Sequence, residues 1–443
     1  MNAATRITSF ICLALLLTGC QSNANFTLTN NPIGPPLVGI GACMNPYLYA
    51  YPNWPAEVND DNIHALESKI IDLHPQFVRI FFLDSWWTQD TDPVIAKNHP
   101  GMRQSLIRTI RLAQNAGAQV LLQFWYDPNR YKNPEDVARR FAQTISDLRS
   151  IYNLTSIHFA TIQNEPNGDG DDITLDQYIH LYRAFNRALR DLHLRDQIQI
   201  IGGDLLSSNQ DKWFAMLAKD LSPILDGYSM HAYWDAWDTK KLSRRLSSVA
   251  DIVHAMPANQ QRPIYATEFG VRGHRLNPSD EPGYSPDGQP IANTPAYSLQ
   301  IAAFILESLN HGYAGAIQWD LYDAWYDRKM GYGVIGPAEQ NFPLKPGYSL
   351  LKLFTHSIPP GSRALQINGS VKDVIITALA TPAGTTCILL NRGESKQIAL
   401  AGLPSHALFS TQTWNVESPQ QPFNSHHQLT LPRDSVTFLC SQP

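Results

Sequence analysis

Two glutamates in this sequence stand at the ends of short apolar runs that are typical of buried strands. Residues 157–163 form the first run, and Asn164-Glu165-Pro166 ends it. Pro166 cannot donate to a sheet ladder and restricts the residue before it, so we expect Glu165 to be extended. Residues 263–267 form the second run, which Glu268 follows. The sequence therefore predicts two carboxylates, each at the carboxyl end of a strand.

Paired carboxylates of this kind could hydrolyse a glycosidic bond. The strands of a parallel barrel present their carboxyl ends at one mouth, where barrel enzymes build their active sites. One carboxyl group can protonate the leaving oxygen while the other remains ionised. Carboxylates about 5–5.5 Å apart favour direct attack on the anomeric carbon, a covalent intermediate and net retention of configuration.

The elements that would position these glutamates follow a regular alternation. Amphipathic helices separate the strand-like runs, and a nucleotide-binding Gly-x-Gly-x-x-Gly motif follows none of them. This pattern favours a closed (β/α)8 TIM barrel over residues 36–357, rather than an open doubly wound sheet. The eight predicted strands are residues 37–43, 76–82, 118–125, 157–163, 197–203, 227–233, 263–270 and 314–320.

The pattern changes after Pro359-Pro360-Gly361. Six short alternating segments follow, which predict a small C-terminal antiparallel β-sandwich over residues 358–443. A structural role is favoured for this domain, and sugar binding stays open. Cys387 and Cys440 both fall in it, and an exported protein meets an oxidising compartment, so we predict a disulfide between them. Cys43 should be a small packed residue rather than a nucleophile.

The first 19 residues have the layout of an export signal. Arg6 precedes the apolar residues 7–17, and Leu17-Thr-Gly-Cys20 resembles a bacterial lipoprotein cleavage box. We predict removal of residues 1–19 and lipidation of Cys20; a plain signal peptide cut nearby is the alternative. Gln21 after the cysteine points to the outer membrane, and residues 20–35 would be a tether.

Composition excludes several other classes of function. The chain has 443 residues and a formal net charge of −5, and it lacks a basic run, so nucleic acid is excluded as a partner. Later apolar stretches are too short for a membrane helix, so membrane contact would come only through the lipid anchor. The histidines are scattered rather than clustered, so we expect no metal. We also expect no cofactor, and we expect the protein to be a monomer.

The two glutamate motifs also carry a family resemblance. Asn164-Glu165-Pro166 together with Ala266-Thr-Glu-Phe-Gly270 resembles the signature pair of the retaining glycoside hydrolases of clan A, and families 39, 30 and 5 in particular. This resemblance covers the barrel region. It implies that Glu165, after strand four, is the acid/base and that Glu268, after strand seven, is the nucleophile.

The resemblance implies roles for further residues around this pair. Arg79 on strand two and Tyr233 after strand six would bond to Glu268, and Asn164 would bind the sugar 2-hydroxyl. His231 would line the same subsite, and Trp319 would form its sugar-stacking floor. Local pairing of Arg79, a buried satisfied histidine and a core tryptophan are the structural alternatives. Trp125 leaves strand three where some clan families carry a His-Asn pair, so it is a further candidate for substrate contact.

Aromatic residues in predicted loops on the same face favour an open cleft that binds a polysaccharide chain, and hence endo action. These residues are Trp86, Trp87, Trp234, Trp237, Trp325 and Tyr326. An exo-acting β-glycosidase and a non-catalytic glycan-binding lipoprotein with a degenerate barrel are the alternatives. The sequence leaves the sugar open among glucan, xylan, mannan, galactan and a self-made exopolysaccharide.

Overall fold

The computed structural model describes residues 25–50, 60–87, 101–125, 133–168, 173–235, 238–275, 277, 283–323, 331–404, 408–419, 423–424 and 429–441. The predicted signal peptide and Cys20 lie outside these ranges, as do Trp237, Trp325 and Tyr326. Predictions about those residues stay predictions.

The first described strand, β1 (Phe26–Pro32), belongs to a second sheet, and the next eight strands form a parallel barrel. Their bounds are β2 (Gly39–Ala42), β3 (Phe77–Leu83), β4 (Gln119–Trp125), β5 (Ile157–Ile162), β6 (Gln199–Leu205), β7 (Gly227–Asp235), β8 (Ile264–Arg272) and β9 (Gly315–Gln318). They are hydrogen-bonded in the order β2-β9-β8-β7-β6-β5-β4-β3. A parallel bridge between Cys43 and Arg79 joins the first barrel strand to the second, so the predicted barrel is confirmed.

Helices surround the barrel between its strands, and the first short one, which contains Trp86 and Trp87, falls where a loop was predicted. Their bounds are α1 (Asp60–Leu73), α2 (Asp84–Trp87), α3 (Met102–Asn115), α4 (Pro134–Ser150), α5 (Leu175–Asp191), α6 (Gln210–Met216), α7 (Thr239–His254), α8 (Pro295–Asn310) and α9 (Pro346–Ser357). Thr174 and Gln177 form a capping box at the start of α5, with both reciprocal bonds present.

Apolar side chains from the barrel strands fill the interior of the barrel. They form a separate buried cluster of Cys43, Phe77, Leu121, Phe159, Ile201, Tyr265, Ala314 and Ile317. The side chains come from seven different strands or strand ends, and the rings of Phe77 and Phe159 lie 5.2 Å apart, edge to face. Because the interior is packed, a ligand could bind only at a mouth of the barrel.

The second sheet is mainly antiparallel and includes strands from both ends of the chain. Its later strands are β10 (Arg363–Gly369), β11 (Val374–Thr381), β12 (Gly384–Asn391), β14 (Leu400–Ala401), β15 (Phe409–Asn415), β16 (Phe423–Asn424) and β18 (Ser435–Ser441). A two-stranded ribbon of β13 (Lys396–Gln397) and β17 (Thr430–Leu431) supplies Leu431 to the apolar cluster on one face of this sheet. The other face packs on the barrel helices, where the rings of Phe354 and Phe438 lie 5.1 Å apart.

The prediction of a tether is wrong for residues 26–32. This segment forms β1, which pairs antiparallel with β10 and parallel with β14. Phe26 and Leu28 alternate with polar residues and are buried in the apolar cluster of the second sheet. Two apolar residues in alternation are too short a signal to recognise a strand whose partners lie far along the chain.

The predicted disulfide between Cys387 and Cys440 is wrong, since both thiols are free. Cys387 stands opposite Leu439, and Cys440 stands opposite Thr386. Directly opposed residues share a face of the sheet and successive residues alternate, so the two cysteines point to opposite faces. Cys387 is buried in the outer cluster, whereas Cys440 packs against the cluster shared with the barrel.

In the part of the chain that the structure describes, none of the helices is both long and apolar enough to span a membrane.

Candidate active site

The structure brings the two predicted glutamates to the same mouth of the barrel. Glu165 lies three residues after the end of β5, and Glu268 lies in β8 beside His231 of β7, its partner in the strand register. One oxygen or nitrogen atom from each of Glu165, His231 and Glu268 lies within 4.8 Å of the other two. The two carboxylates can therefore act on one bound group.

The backbone at Glu165 differs from the prediction. The residue is not extended but has a φ of 45°, and Gln163 has a φ of 71°. The chain reverses here, since the Gly168 N–H donates to the Glu165 carbonyl at 3.0 Å. Left-handed conformations cost a non-glycine residue about 1–2 kcal/mol, and such costs concentrate at functional sites. The turn re-aims the carboxylate into the barrel mouth.

Two side chains hold the Glu268 carboxylate. Arg79 Nη1 donates to Oε2 at 2.7 Å, and the Tyr233 hydroxyl donates to Oε1 at 2.7 Å. Arg79 comes from β3 and is 1% exposed, so its charge is balanced inside the protein rather than by water. Burial, followed by the nearby Glu268 charge, raises the pKa of Tyr233 well above its ordinary value, so the phenol stays a hydrogen-bond donor.

His231 bridges the two glutamates. Its Nδ1 lies 2.9 Å from Glu165 Oε1 and 3.9 Å from Glu268 Oε2. Burial alone would lower the pKa of this imidazole, but Glu268, Asp204 and Glu165 together raise it to about 9. Burial tends to raise the pKa of Glu165, yet the bond from His231 and the charges of His231 and Arg79 lower it overall. In the unliganded site, the imidazole therefore carries a proton that it can share with Glu165.

Asp204 is a member of this cluster that the sequence analysis missed. It is fully buried in β6, and its carboxylate lies 3.6 Å from both Arg79 Nη2 and His231 Nε2. Although burial tends to raise the pKa of this carboxyl, His231 and Arg79 hold it well below its usual range. Like the two glutamates, Asp204 stands near the end of an apolar strand, so the same signal could have found it.

The remaining predicted residues fall in different places. Asn164 Oδ1 accepts from Arg79 Nη2 at 2.6 Å, so its NH2 group is what it can offer a sugar hydroxyl. Trp319 lines the cavity above the glutamates, next to Phe81, where a sugar ring could rest on it. Trp125 ends β4 and is 39% exposed, but it is not among the residues that line the described cavity.

The cavity at this mouth has a volume of about 760 Å³ and extends from the glutamates toward α7. Its walls include residues that sequence reasoning missed, among them Leu206, Ser207, Ser208, Gln210, Arg245 and Tyr332. Two of the predicted rim aromatics are packed instead. Trp86 is buried against Tyr47, and Trp234 stacks on Phe304 with ring centroids 5.3 Å apart, although it also borders the cavity.

The donor set of the cluster suits protons better than a metal ion. Both oxygens of Glu268 already accept from Arg79 and Tyr233, and Glu165 pairs with the His231 nitrogen that faces it. A cation between these groups would stand beside the buried Arg79 guanidinium. Cys43 is poorly suited to be a nucleophile, because burial raises the pKa of its thiol well above the ordinary value and the thiol stays protonated.

Comparisons with known proteins give relatives in structure but not in sequence. No family model matches the chain, and no curated protein matches it. The catalytic domain of GH30 xylanase C from Talaromyces cellulolyticus is similar at a TM-score of 0.67 and 14% identity, covering 94% of this chain and 100% of that one. A GH30 endoxylanase from Clostridium papyrosolvens C71 has a TM-score of 0.65 and 13% identity, with coverage of 95% and 100%.

An α-L-arabinofuranosidase from Thermotoga maritima is similar to the same extent. Its TM-score is 0.65 at 12% identity, and the match covers 94% of this chain and 99% of that one. At identities this low, the likeness shows a shared fold. Because each match covers nearly the whole of both chains, the shared fold includes the second sheet as well as the barrel.

Proposed function

We propose that this protein is a retaining glycoside hydrolase that cleaves β-glycosidic bonds in a polysaccharide. The observation that carries the proposal is the approach of Glu165 and Glu268 at one barrel mouth, with Glu268 held by Arg79 and Tyr233 and Glu165 paired with His231. The short gap between the carboxylates fits retention, since inverting enzymes keep theirs about 6.5–9.5 Å apart to admit a water.

In the first step, Glu268 attacks the anomeric carbon and forms an ester bond to the sugar. The glycosidic C–O bond breaks as Glu165 gives its proton to the leaving oxygen. Arg79 and Tyr233 keep the Glu268 carboxylate in the attacking position, so less reorganisation is needed in the transition state. His231 keeps a proton on the Glu165–His231 pair until substrate arrives.

In the second step, a water attacks the same carbon. Glu165 takes the proton of this water, the ester to Glu268 breaks, and the sugar leaves with its original anomeric configuration. The proton returns to the Glu165–His231 pair, so the site is restored without a cofactor.

A polysaccharide substrate and endo action are supported by the cavity. Its volume of about 760 Å³ is within the usual range of ligand sites, about 300–1,000 Å³, and it continues from the glutamates past Leu206 and Ser208. A cleft that continues beyond the reacting bond favours a chain over a single sugar. The GH30 relatives described above are named as a xylanase and an endoxylanase, so xylan is the first substrate to test.

The test is a panel of polysaccharides with analysis of the products by NMR, run on wild type, Glu268→Gln and Glu165→Gln. We expect β-configured products from wild type and a loss of turnover of at least about a thousandfold in Glu268→Gln. Glu165→Gln should recover partly on aryl glycosides whose leaving group needs no proton. Full turnover by Glu268→Gln, or inverted products, would contradict the proposed mechanism. Binding without turnover by wild type would indicate a glycan-binding protein.

We further propose that the protein is exported and anchored to the bacterial outer membrane through a lipid on Cys20. The support is the apolar segment 7–17 and the cleavage-box resemblance that ends at Cys20. Metabolic labelling with a tritiated fatty acid should mark wild type and leave Cys20→Ala unmarked. Equal labelling of both proteins would refute the anchor.

A further inference from the structure

We propose that Asp204 is a positioning residue of this site. It holds Arg79 and His231 in place and keeps a proton on the Glu165–His231 pair. The inference rests on the proposed function for its catalytic meaning. It concerns a residue that does not itself border the cavity. Asp204 would act on the substrate only through its two basic neighbours.

The Asp204 carboxylate is fixed by its neighbours on two adjacent strands. Its Oδ1 accepts from the Ser229 hydroxyl at 2.8 Å and from the Thr267 hydroxyl at 2.6 Å. Ser229 lies on β7, two residues before His231, and Thr267 directly precedes Glu268 on β8. The Asp204 N–H also donates to the Ser229 hydroxyl at 2.7 Å, so the aspartate is locked in the barrel wall.

From this position the carboxylate faces both basic groups of the cluster. Arg79 Nη2 lies 3.6 Å from Oδ2, and His231 Nε2 lies 3.6 Å from Oδ1. The other terminal nitrogen of Arg79, Nη1, lies 2.7 Å from Glu268, and the other ring nitrogen of His231, Nδ1, lies 2.9 Å from Glu165. A shift of Asp204 or a loss of its charge should therefore affect Glu268 through Arg79 and Glu165 through His231.

Of the two basic groups, His231 depends more on Asp204. Arg79 already donates to Glu268 and Asn164 at 2.7 and 2.6 Å, and a guanidinium stays charged in proteins. An imidazole can lose its proton, and Nε2 of His231 is buried with Asp204 as its nearest acid. A carboxylate 3.6 Å from that nitrogen favours the charged imidazole.

Other ionisable groups near this pair come from several elements. Arg245 of α7 donates to the His231 carbonyl at 3.2 Å, and the Tyr178 hydroxyl of α5 accepts from Gly203, next to Asp204. The ionisable side chains around His231 and Asp204 are Glu165, Glu268, Arg79, Arg245, Cys43, Tyr178, Tyr182 and Tyr233. Burial raises the pKa of Cys43, Tyr178, Tyr182 and Tyr233, so these four stay neutral, and the charges that act on His231 are three acids and two arginines.

The direction of the expected effect follows from these charges. Removing the negative charge of Asp204 makes a proton on the Glu165–His231 pair less favourable, because the charged imidazole loses an acid partner. The pair should then lose its proton at a lower pH. Since acid catalysis needs that proton, the fall of kcat/KM on the basic side should move to lower pH.

The test compares wild type with Asp204→Asn, which keeps the shape of the side chain and removes its charge. The pKa of His231 is measured by NMR of ¹⁵N-labelled histidine, with His231→Gln to assign the signal. We expect this pKa to fall by at least about one pH unit in Asp204→Asn, and the basic fall of kcat/KM to move with it. Ser229→Ala is the matched control, because it removes a hydrogen bond to Asp204 and keeps the charge. It should move neither quantity by more than a fraction of a pH unit.

The NMR measurement needs no substrate, so it separates this inference from the proposed function. An unchanged His231 pKa in Asp204→Asn would overturn the inference even if the enzyme is a glycoside hydrolase. A shifted pKa in a protein that turns over no polysaccharide would leave the electrostatic role standing and refute the function. If Asp204→Asn does not fold, wild-type spectra decide: both ring nitrogens of His231 must be protonated at pH 7, and a neutral ring would refute the inference.

Discussion

The Glu268 carboxylate is held by two donors, which in the proposed mechanism would place it for attack. Its two oxygens accept from different strands, Oε2 from Arg79 on β3 and Oε1 from Tyr233 on β7. Arg79 is buried, and burial raises the pKa of the Tyr233 phenol, so the phenol keeps its proton and remains a donor. In the proposed mechanism, both donors would therefore be in place before the substrate binds, rather than being recruited by it.

Tyr233→Phe tests this view of Glu268. We expect kcat to fall by about 10²–10³, as is usual when one fixed donor to a reacting carboxylate or oxyanion is removed. Steady-state kinetics on the substrate identified in the panel would measure the loss. Tyr228→Phe is the control, because Tyr228 starts the same strand and donates to the Gln260 carbonyl at 2.6 Å, away from the glutamates. Equal losses in both variants would mean that the strand, rather than the bond to Glu268, is at issue.

The pH dependence of the wild type follows from His231. Burial opposes its protonation, but three acids raise its pKa from 6.5 to about 9. Below that pH the Glu165–His231 pair carries the proton that the proposed mechanism gives to the leaving oxygen, and above it the proton is lost. We therefore expect kcat/KM to fall as the pH rises through about 9, and the fall to be absent for aryl glycosides with activated leaving groups. A fall centred near 6.5 would mean that the acids do not act on this imidazole.

The elements of the barrel could be predicted from sequence because each has a local signal. All eight strands are short apolar runs, and α4 and α5 begin at recognisable capping residues, Asn133 and Thr174. What could not be predicted depends on partners far along the chain. β1 is a strand only because it pairs with β10 and β14. The faces of Cys387 and Cys440 are set by register, which composition does not reveal.

For the site, the positions of several residues could be predicted from the sequence, but the backbone turn at Glu165 could not. Glu165 and Glu268 lie at the ends of runs and Arg79 is the lone charge in one, and the barrel brings such positions together, whereas the role of Tyr233 was implied by the family resemblance. The left-handed turn at Glu165 was not predictable, because Pro166 argues for an extended residue there. That turn is held by contacts between loops, which appear only in the folded molecule.

One such contact joins the loops that follow β5 and β6. Asn167 is buried two residues after Glu165, and it exchanges two hydrogen bonds with the backbone of Leu206, at 3.0 and 2.9 Å. Asn167→Ala should leave these backbone groups unsatisfied and lower the free energy of unfolding by roughly 1–3 kcal/mol. Because the same clamp fixes the turn at Glu165 and the cavity wall at Leu206, kcat/KM should fall by about tenfold or more.

The matched control for Asn167→Ala is Asn391→Ala in the second sheet. Asn391 is also buried and bonds to backbone groups, among them the Pro432 carbonyl at 2.8 Å and the Gly393 N–H at 3.2 Å. Chemical denaturation should give similar losses of stability for the two variants, whereas only Asn167→Ala should lose activity. If activity falls equally in both, the loss reflects general destabilisation and the role of the loop clamp is refuted.

At the scale of the whole molecule, the barrel and the second sheet share one apolar core. Leu379, Ile388, Trp414 and Phe438 of the sheet belong to the same buried cluster as the barrel helices. Polar contacts cross the same boundary, since Thr377 donates to Asn310 of α8 at 2.9 Å and Trp414 Nε1 donates to Ser349 of α9 at 3.0 Å. A shared core of this kind predicts that the two parts unfold together in a single transition.

Trp414→Ala tests that coupling. The indole is fully buried between the sheet and α9, so its removal should lower the free energy of unfolding by roughly 3–5 kcal/mol. It should also expose the link at Pro359-Pro360-Gly361 to protease, because the sheet loses its anchor on the barrel. Leu389→Ala is the control: Leu389 is buried on the other face of the sheet, so the variant should be destabilised without faster cleavage at the link. Fluorescence and far-UV circular dichroism during denaturation, with timed proteolysis, would measure both effects. Two separate transitions in the wild type, or equal cleavage of both variants, would show that the sheet is an independent domain that only rests on the barrel.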